Sequence, residues 1–184
     1  MKQVKGTVLI TIVKSIKVNH NKRAEYDRIL SDRAKEFLKK RILNASWYPF
    51  DILRELLDAM CLVEGGNDPK ILVEWGRIDG KRWFTTVYQA IILKGDLELA
   101  IEKYQRFHRK VYNFGEVIVK FISDTELEFT YVDLPRDWEN YYHITAGWAK
   151  SFVELCLGKE ADYMFINKSW KGEGWTKTRI YWGP

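Results

Sequence analysis

Three histidines and two cysteines are the residues of this 184-residue chain best suited to chemistry. His20 lies between Asn19 and Asn21, in a polar break, and reads as a solvated loop residue. His108 shares an apolar helical face with Tyr104 and Val111. A neutral imidazole on such a face can coordinate heme iron from a pocket wall, and a hydrogen-bonded core histidine is the competing reading. His143 projects with Gly147 and Lys150, away from Trp148, so it is expected at the surface or an interface. Cys61 and Cys156 fall among apolar residues at helical spacing, as buried thiols of a reducing compartment do. No Cys and His pair has zinc-site spacing, so no metal is expected.

Other reactive arrangements are weak. No Ser, Cys or Thr sits in a nucleophile elbow. Gly172-x-Gly174 lacks a third glycine and a following helix, so it is a turn rather than a phosphate cradle. Asp133 and Asp137 flank Pro135 as a solvated turn or a carboxylate pair. Arg77, in Trp75-Gly76-Arg77, is a candidate for an acidic headgroup at a pocket mouth; a surface Arg beside a packing Trp explains it equally well. Eight Trp, ten Tyr and nine Phe exceed what a core of this size obviously needs. Trp47, Tyr48, Phe50, Trp83, Phe84 and Trp148, together with His108, are therefore candidate pocket residues, with simple core filling as the alternative. Trp170, Trp175, Tyr181 and Trp182 are expected to be exposed in a terminal hairpin, as a dimer or partner surface.

The elements that must position these residues follow from periodicity. Leu9, Ile12, Val13 and Ile16 mark one face of a helix over 7–18, and a break follows at 19–21. Helices are expected with Tyr26, Ile29 and Leu30 inward, then with Phe37, Leu38 and Ile42 inward. The clearest helix has Phe50, Leu53, Leu56, Leu57, Met60 and Cys61 on one side, Pro49 in its first turn and Gly65-Gly66 at its end. Residues 70–94 read as two short helical stretches around Gly80, and Asp96 caps a helix closed by Gly115. Val117, Val119, Phe121 and then Leu127, Phe129, Tyr131 alternate as a hairpin. A helix over about 140–157 and a last hairpin complete an α+β domain with an antiparallel sheet, taken as one domain over 1–184.

Charge excludes little but favours a plain surface. The net charge of +5 comes from 30 basic against 25 acidic residues with interleaved signs, so no nucleic-acid partner is expected. The apolar run 7–13 is too short to span a bilayer, and Lys14 and Lys17 follow it with no cleavage site; the protein is expected in the cytoplasm with no transmembrane segment.

The ordered set Val4-Lys5-Gly6, Ser46-Trp47-Tyr48-Pro49-Phe50, Trp75-Gly76-Arg77, Val111-Tyr112-Asn113-Phe114-Gly115-Glu116, Ala146-Gly147-Trp148 and Arg179-Ile180-Tyr181-Trp182 resembles an uncharacterised prokaryotic family. That family is related to the heme nitric-oxide-binding domains, the vinyl-reductase-like ligand domains and the TRAPP vesicle-tethering subunits. The resemblance implies N-terminal helices packed on a twisted antiparallel sheet with a late helix, a hydrophobic pocket between them, and frequent dimers. In relatives the pocket holds heme, a lipid chain or another apolar ligand. Heme-binding relatives carry a Tyr-x-Ser-x-Arg motif that is missing here, and the C-terminal cysteines of vinyl-reductase-like relatives are missing too. The expectation is a non-enzymatic regulatory domain, binding an apolar small molecule or lipid, acting as a protein-interaction adaptor, or both. It would lack heme or any other cofactor and would form a homodimer through its N-terminal helices. An enzyme acting on a lipid-like or tetrapyrrole substrate is the alternative.

Overall fold

The computed structural model describes residues 1–183. A short strand, β1 (Gln3–Lys5), leads into α1 (Gly6–Val18), α2 (Arg23–Ile29) and α3 (Asp32–Lys39). Strand β2 (Trp47–Pro49) returns antiparallel to β1, with Val4 opposite Tyr48. Helices α4 (Phe50–Glu64), α5 (Ile71–Phe84) and α6 (Leu97–Val111) follow, then the hairpin β3 (Glu116–Ser123) and β4 (Glu126–Val132). Helix α7 (Glu139–Leu157) precedes β5 (Ala161–Asn167) and β6 (Lys177–Trp182). The main sheet is antiparallel in the order β3-β4-β6-β5. The expected α+β architecture is therefore present.

Alternation sets the sheet's two faces. Leu127, Phe129 and Tyr131 of β4 and Ile180 of β6 point into the core and are almost fully buried. On the opposite face Glu128 pairs with Lys177 and Arg179 across the strands. Helix α1 is helical as its periodicity required, and Leu9, Ile12, Val13 and Ile16 are all buried in the chain's own core. That stripe gives no reason for a second copy at α1.

Several expectations need correction. Pro49 is not in the first turn of α4 but just before it, extended and paired to Gln3. The region 70–94 holds one helix through Gly80, not two short ones. The reason is close packing: a Cβ on Gly76 would collide with the Ile144 carbonyl, one on Gly80 with the Ser151 hydroxyl, and one on Gly147 with the Val73 carbonyl. These glycines let α5 and α7 touch backbone to backbone, which offsets their cost in a helix interior. Ile29, expected inward, is exposed, and Phe121 is exposed although Val117 and Val119 on the same side of the alternation are buried. Trp182, expected at the surface, is buried, and Trp170 is half-buried against Tyr142, ring centroids 5.4 Å apart. His143 is also buried, edge-on to Phe165 at 5.0 Å, because β5 covers the side of α7 that periodicity alone marks as polar. Its Nε2 lies 3.6 Å from Glu139.

Candidate functional site

Helix α6 carries the site's central residue. Asp96 caps it by accepting from the Leu99 amide at 3.1 Å. The i, i+3, i+4 spacing then places Ile101, Tyr104, His108 and Val111 on the buried side. Tyr104, His108 and Val111 border a cavity of about 90 Å³ enclosed by α1, α4, α5, α6, α7, β3 and β4. His108, Tyr112, Tyr131 and Tyr141 form its buried part. Val8, Thr11, Trp75, Asp79, Ile144 and Trp148 are only half-buried, so the cavity approaches solvent between α1, α5 and α7.

The walls are apolar, but one of their polar atoms is unsatisfied. His108 Nε2 is buried without a hydrogen-bond partner, whereas Tyr131 Oη lies beside the Thr145 and Thr178 hydroxyls and Tyr141 Oη beside Tyr112. A buried unpaired atom costs about 1–3 kcal/mol, so His108 Nε2 is the atom of this wall that a bound group would relieve. Burial pulls the His108 pKa down to about 4, outweighing the Phe114 carbonyl, which pulls it up. The imidazole is thus neutral at pH 7, the form that can bind a metal. Its ring stacks on Tyr112 with centroids 4.8 Å apart. Burial pushes the Tyr131 phenol up to about 12 and Tyr141 well above its ordinary value, so both remain O–H donors. Near the mouth, Asp79 Oδ1 accepts from Thr11 Oγ1 at 2.8 Å. Burial raises the Asp79 pKa, while Thr11, Arg82 and Trp83 pull the other way.

Of the residues singled out in the sequence, the structure brings His108 and Trp148 to this cavity. Trp47 lies on β2, 38% exposed, under the Lys5 ammonium at 4.2 Å. Tyr48 Oη accepts from the Leu43 amide at 2.9 Å. Phe50 does not border the cavity but packs behind its wall, on Phe114 and Trp138 at 4.7 and 5.4 Å and on the cavity residues Tyr112 and Tyr141 at 6.2 and 6.1 Å. Trp83 and Phe84 are buried outside the cavity wall, Phe84 edge-on to Trp148 at 5.4 Å. Arg77 is held by Glu154 at 2.8 Å and does not border the cavity. Sequence reasoning missed Asp79, Thr11 and Tyr141. Asp79 follows Trp75 by four residues, one helical turn, and that spacing was the available signal. Among the described residues no three His, Cys, Asp or Glu are placed to hold a metal ion by themselves, and no helix is long and apolar enough to cross a membrane.

Helices on one side, a four-stranded antiparallel sheet on the other and a histidine-walled cavity between them define a known fold class. It is that of the heme nitric-oxide-binding, or H-NOX, domains. A mutant H-NOX from T. tengcongensis matches with TM-score 0.64 and 15% identity, over 98% of this chain and 98% of that one. An Fe(II) unliganded H-NOX mutant from K. algicida matches with TM-score 0.66 and 11% identity, over 98% and 97%. A structure described as modulating heme redox potential through protein-induced porphyrin distortion matches with TM-score 0.62 and 16% identity, over 96% and 99%. The chain matches no protein-family profile and no curated protein. The likeness shows the fold.

The expectation of no cofactor is corrected by these neighbours, which are heme proteins. The expectation leaned on the missing propionate motif, whereas an axial ligand is what tethers the iron. The residues here fit heme at that point: His108 is buried, neutral, at the cavity wall, with Nε2 partnerless. No Lys or Arg borders the cavity, so no cation inside it faces a propionate. A cavity of about 150 Å³ holds benzene, so a macrocycle enters only if rings such as Phe107 and Trp148 give way.

Proposed function

We propose that this chain is a ligand-sensing regulatory domain whose cavity takes heme, which His108 would hold through its iron. The observation that carries this is the partnerless, uncharged Nε2 of His108 on the wall of an apolar cavity. Bound heme would supply a metal centre able to take up a small gaseous ligand. The rest is the work of the chain. The Phe114 carbonyl orients the imidazole, and the apolar walls, with Tyr131 and Tyr141 behind them, exclude water. The sheet and α7 would pass occupancy to the surface, where a protein-interaction or homodimer surface belongs to the same proposal. Met164 and Ile166 on edge strand β5, and Trp175 beyond it, are the exposed apolar residues near that end. Such unpaired edges favour pairing with another chain.

The test is an absorption titration with hemin. Wild type should develop a Soret band that saturates at one heme per chain. His108→Ala should lose or shift it, and added imidazole should restore it. Failure of wild type to perturb the hemin spectrum, or an identical band in His108→Ala, would falsify the assignment. An enzyme on a lipid-like or tetrapyrrole substrate is the second reading, because a histidine and a carboxylate, His108 and Asp79, border one cavity.

A further inference from the structure

We propose that Asp79 selects the small molecule admitted to this cavity, and that its preferred class is a protonated primary amine on a short apolar body. The inference rests on reading the cavity as a ligand site, and it does not require heme. Asp79 is the one carboxylate on the cavity wall, and no Lys or Arg borders the same space. Thr11 Oγ1 donates to Oδ1 at 2.8 Å, and the Trp83 indole N–H also acts on the carboxylate, so an incoming ammonium would share it with two neutral donors. Arg82 is a cation that acts on Asp79, and it is exposed and lies over the Trp83 ring at 5.6 Å.

The surroundings complete an ammonium site. Trp75 and Trp148 flank the mouth with indole rings, and Val8 and Ile144 add apolar surface. A carboxylate in an aromatic-lined, partly desolvated site is a combination that stabilises an ammonium. Burial penalises the Asp79 carboxylate, and a cation beside it reverses that penalty. An anion at the same place would meet a like charge, offset only by the exposed Arg82. The volume of about 90 Å³ limits the apolar body to a few carbons. Its tail would run toward Leu53, Leu57 and Met60.

Isobutylamine, isobutanol and isobutyrate share one carbon skeleton and differ in charge, so they separate the cationic, neutral and anionic cases. Titration of the purified chain at pH 7, followed by calorimetry and by intrinsic tryptophan fluorescence, should rank the amine first. A charge-assisted hydrogen bond predicts a preference of about tenfold over the alcohol. Asp79→Asn keeps an acceptor for Thr11 and should bring the ratio to about one while leaving the circular dichroism spectrum unchanged. Thr11→Val, which keeps the carboxylate, should retain the preference. Equal binding of amine and alcohol by wild type, no amine binding at millimolar concentration, or a preference that survives Asp79→Asn would each overturn the proposal. His108→Ala reports separately: hemin uptake fails there if the heme reading holds, whereas amine selection should persist.

Discussion

The buried imidazole of His108 makes stability depend on pH in a definite direction. Its folded pKa is about 4, against an ordinary value of 6.5. Between those values the unfolded chain binds a proton that the folded chain does not, so stability is full above pH 6.5 and falls as pH drops toward 4. The loss is on the order of 3 kcal/mol across that interval. His143, whose pKa burial also lowers, adds to the loss with the same sign. Urea unfolding at pH 7 and pH 4.5 should show a falling midpoint in wild type and a smaller fall in His108→Leu, and an unchanged slope of stability with pH in that variant would refute the assignment. His108 was legible in the sequence because it recurs with Tyr104 and Val111 on one helical face. His143 was not, because what buries it is a strand that lies about twenty residues further along the chain.

Helices α5 and α7 are joined by absent side chains. A Cβ on Gly147 meets the backbone of Val73 and Arg77, which cannot turn aside as a flexible side-chain end could. Gly147→Ala should therefore destabilise by about 2–3 kcal/mol or more, read as a lowered urea midpoint. Gly66→Ala is the control. It has open space around its Cβ and a φ of +61°, so it should cost only about 1–2 kcal/mol from left-handed backbone strain. Within α4, Leu57 is 1% exposed and borders the cavity, so Leu57→Ala should cost roughly 2–5 kcal/mol. Trp148 is half-buried at the mouth, and Trp148→Ala should cost less than a fully buried Trp while widening the entrance, seen as faster ligand exchange. The sequence marked Gly80 as a break because glycine is a poor helix former; only the neighbouring helix shows it as a contact point.

For the molecule as a whole, the N-terminal stripe lies inside. Ile12 is 4% exposed, so Ile12→Glu places a charge in the core and should unfold the chain rather than yield a folded monomer. Circular dichroism of that variant decides it, and a folded Ile12→Glu chain would mean that α1 packs elsewhere. Sedimentation equilibrium of wild type tests self-association independently. If dimers form, Met164→Glu on the exposed side of edge strand β5 should weaken them without unfolding the chain.

Period and punctuation determined the α+β order of this chain. Apolar residues three and four apart wrote α1, α4, α6 and α7, alternation wrote β3 and β4, and Gly158 ends α7 in the left-handed conformation. Those signals are local, since a helix face or a strand face is fixed within a few residues. The candidate site is not local. Thr11, Asp79, His108, Tyr131 and Tyr141 come from five elements, and their juxtaposition depends on how close α5 lies to α7 and where the sheet closes behind α6. Burial and missing partners are properties of that packing, so only the tertiary structure separates His108 and Trp148, which meet the cavity, from Trp47 and Arg77, which do not.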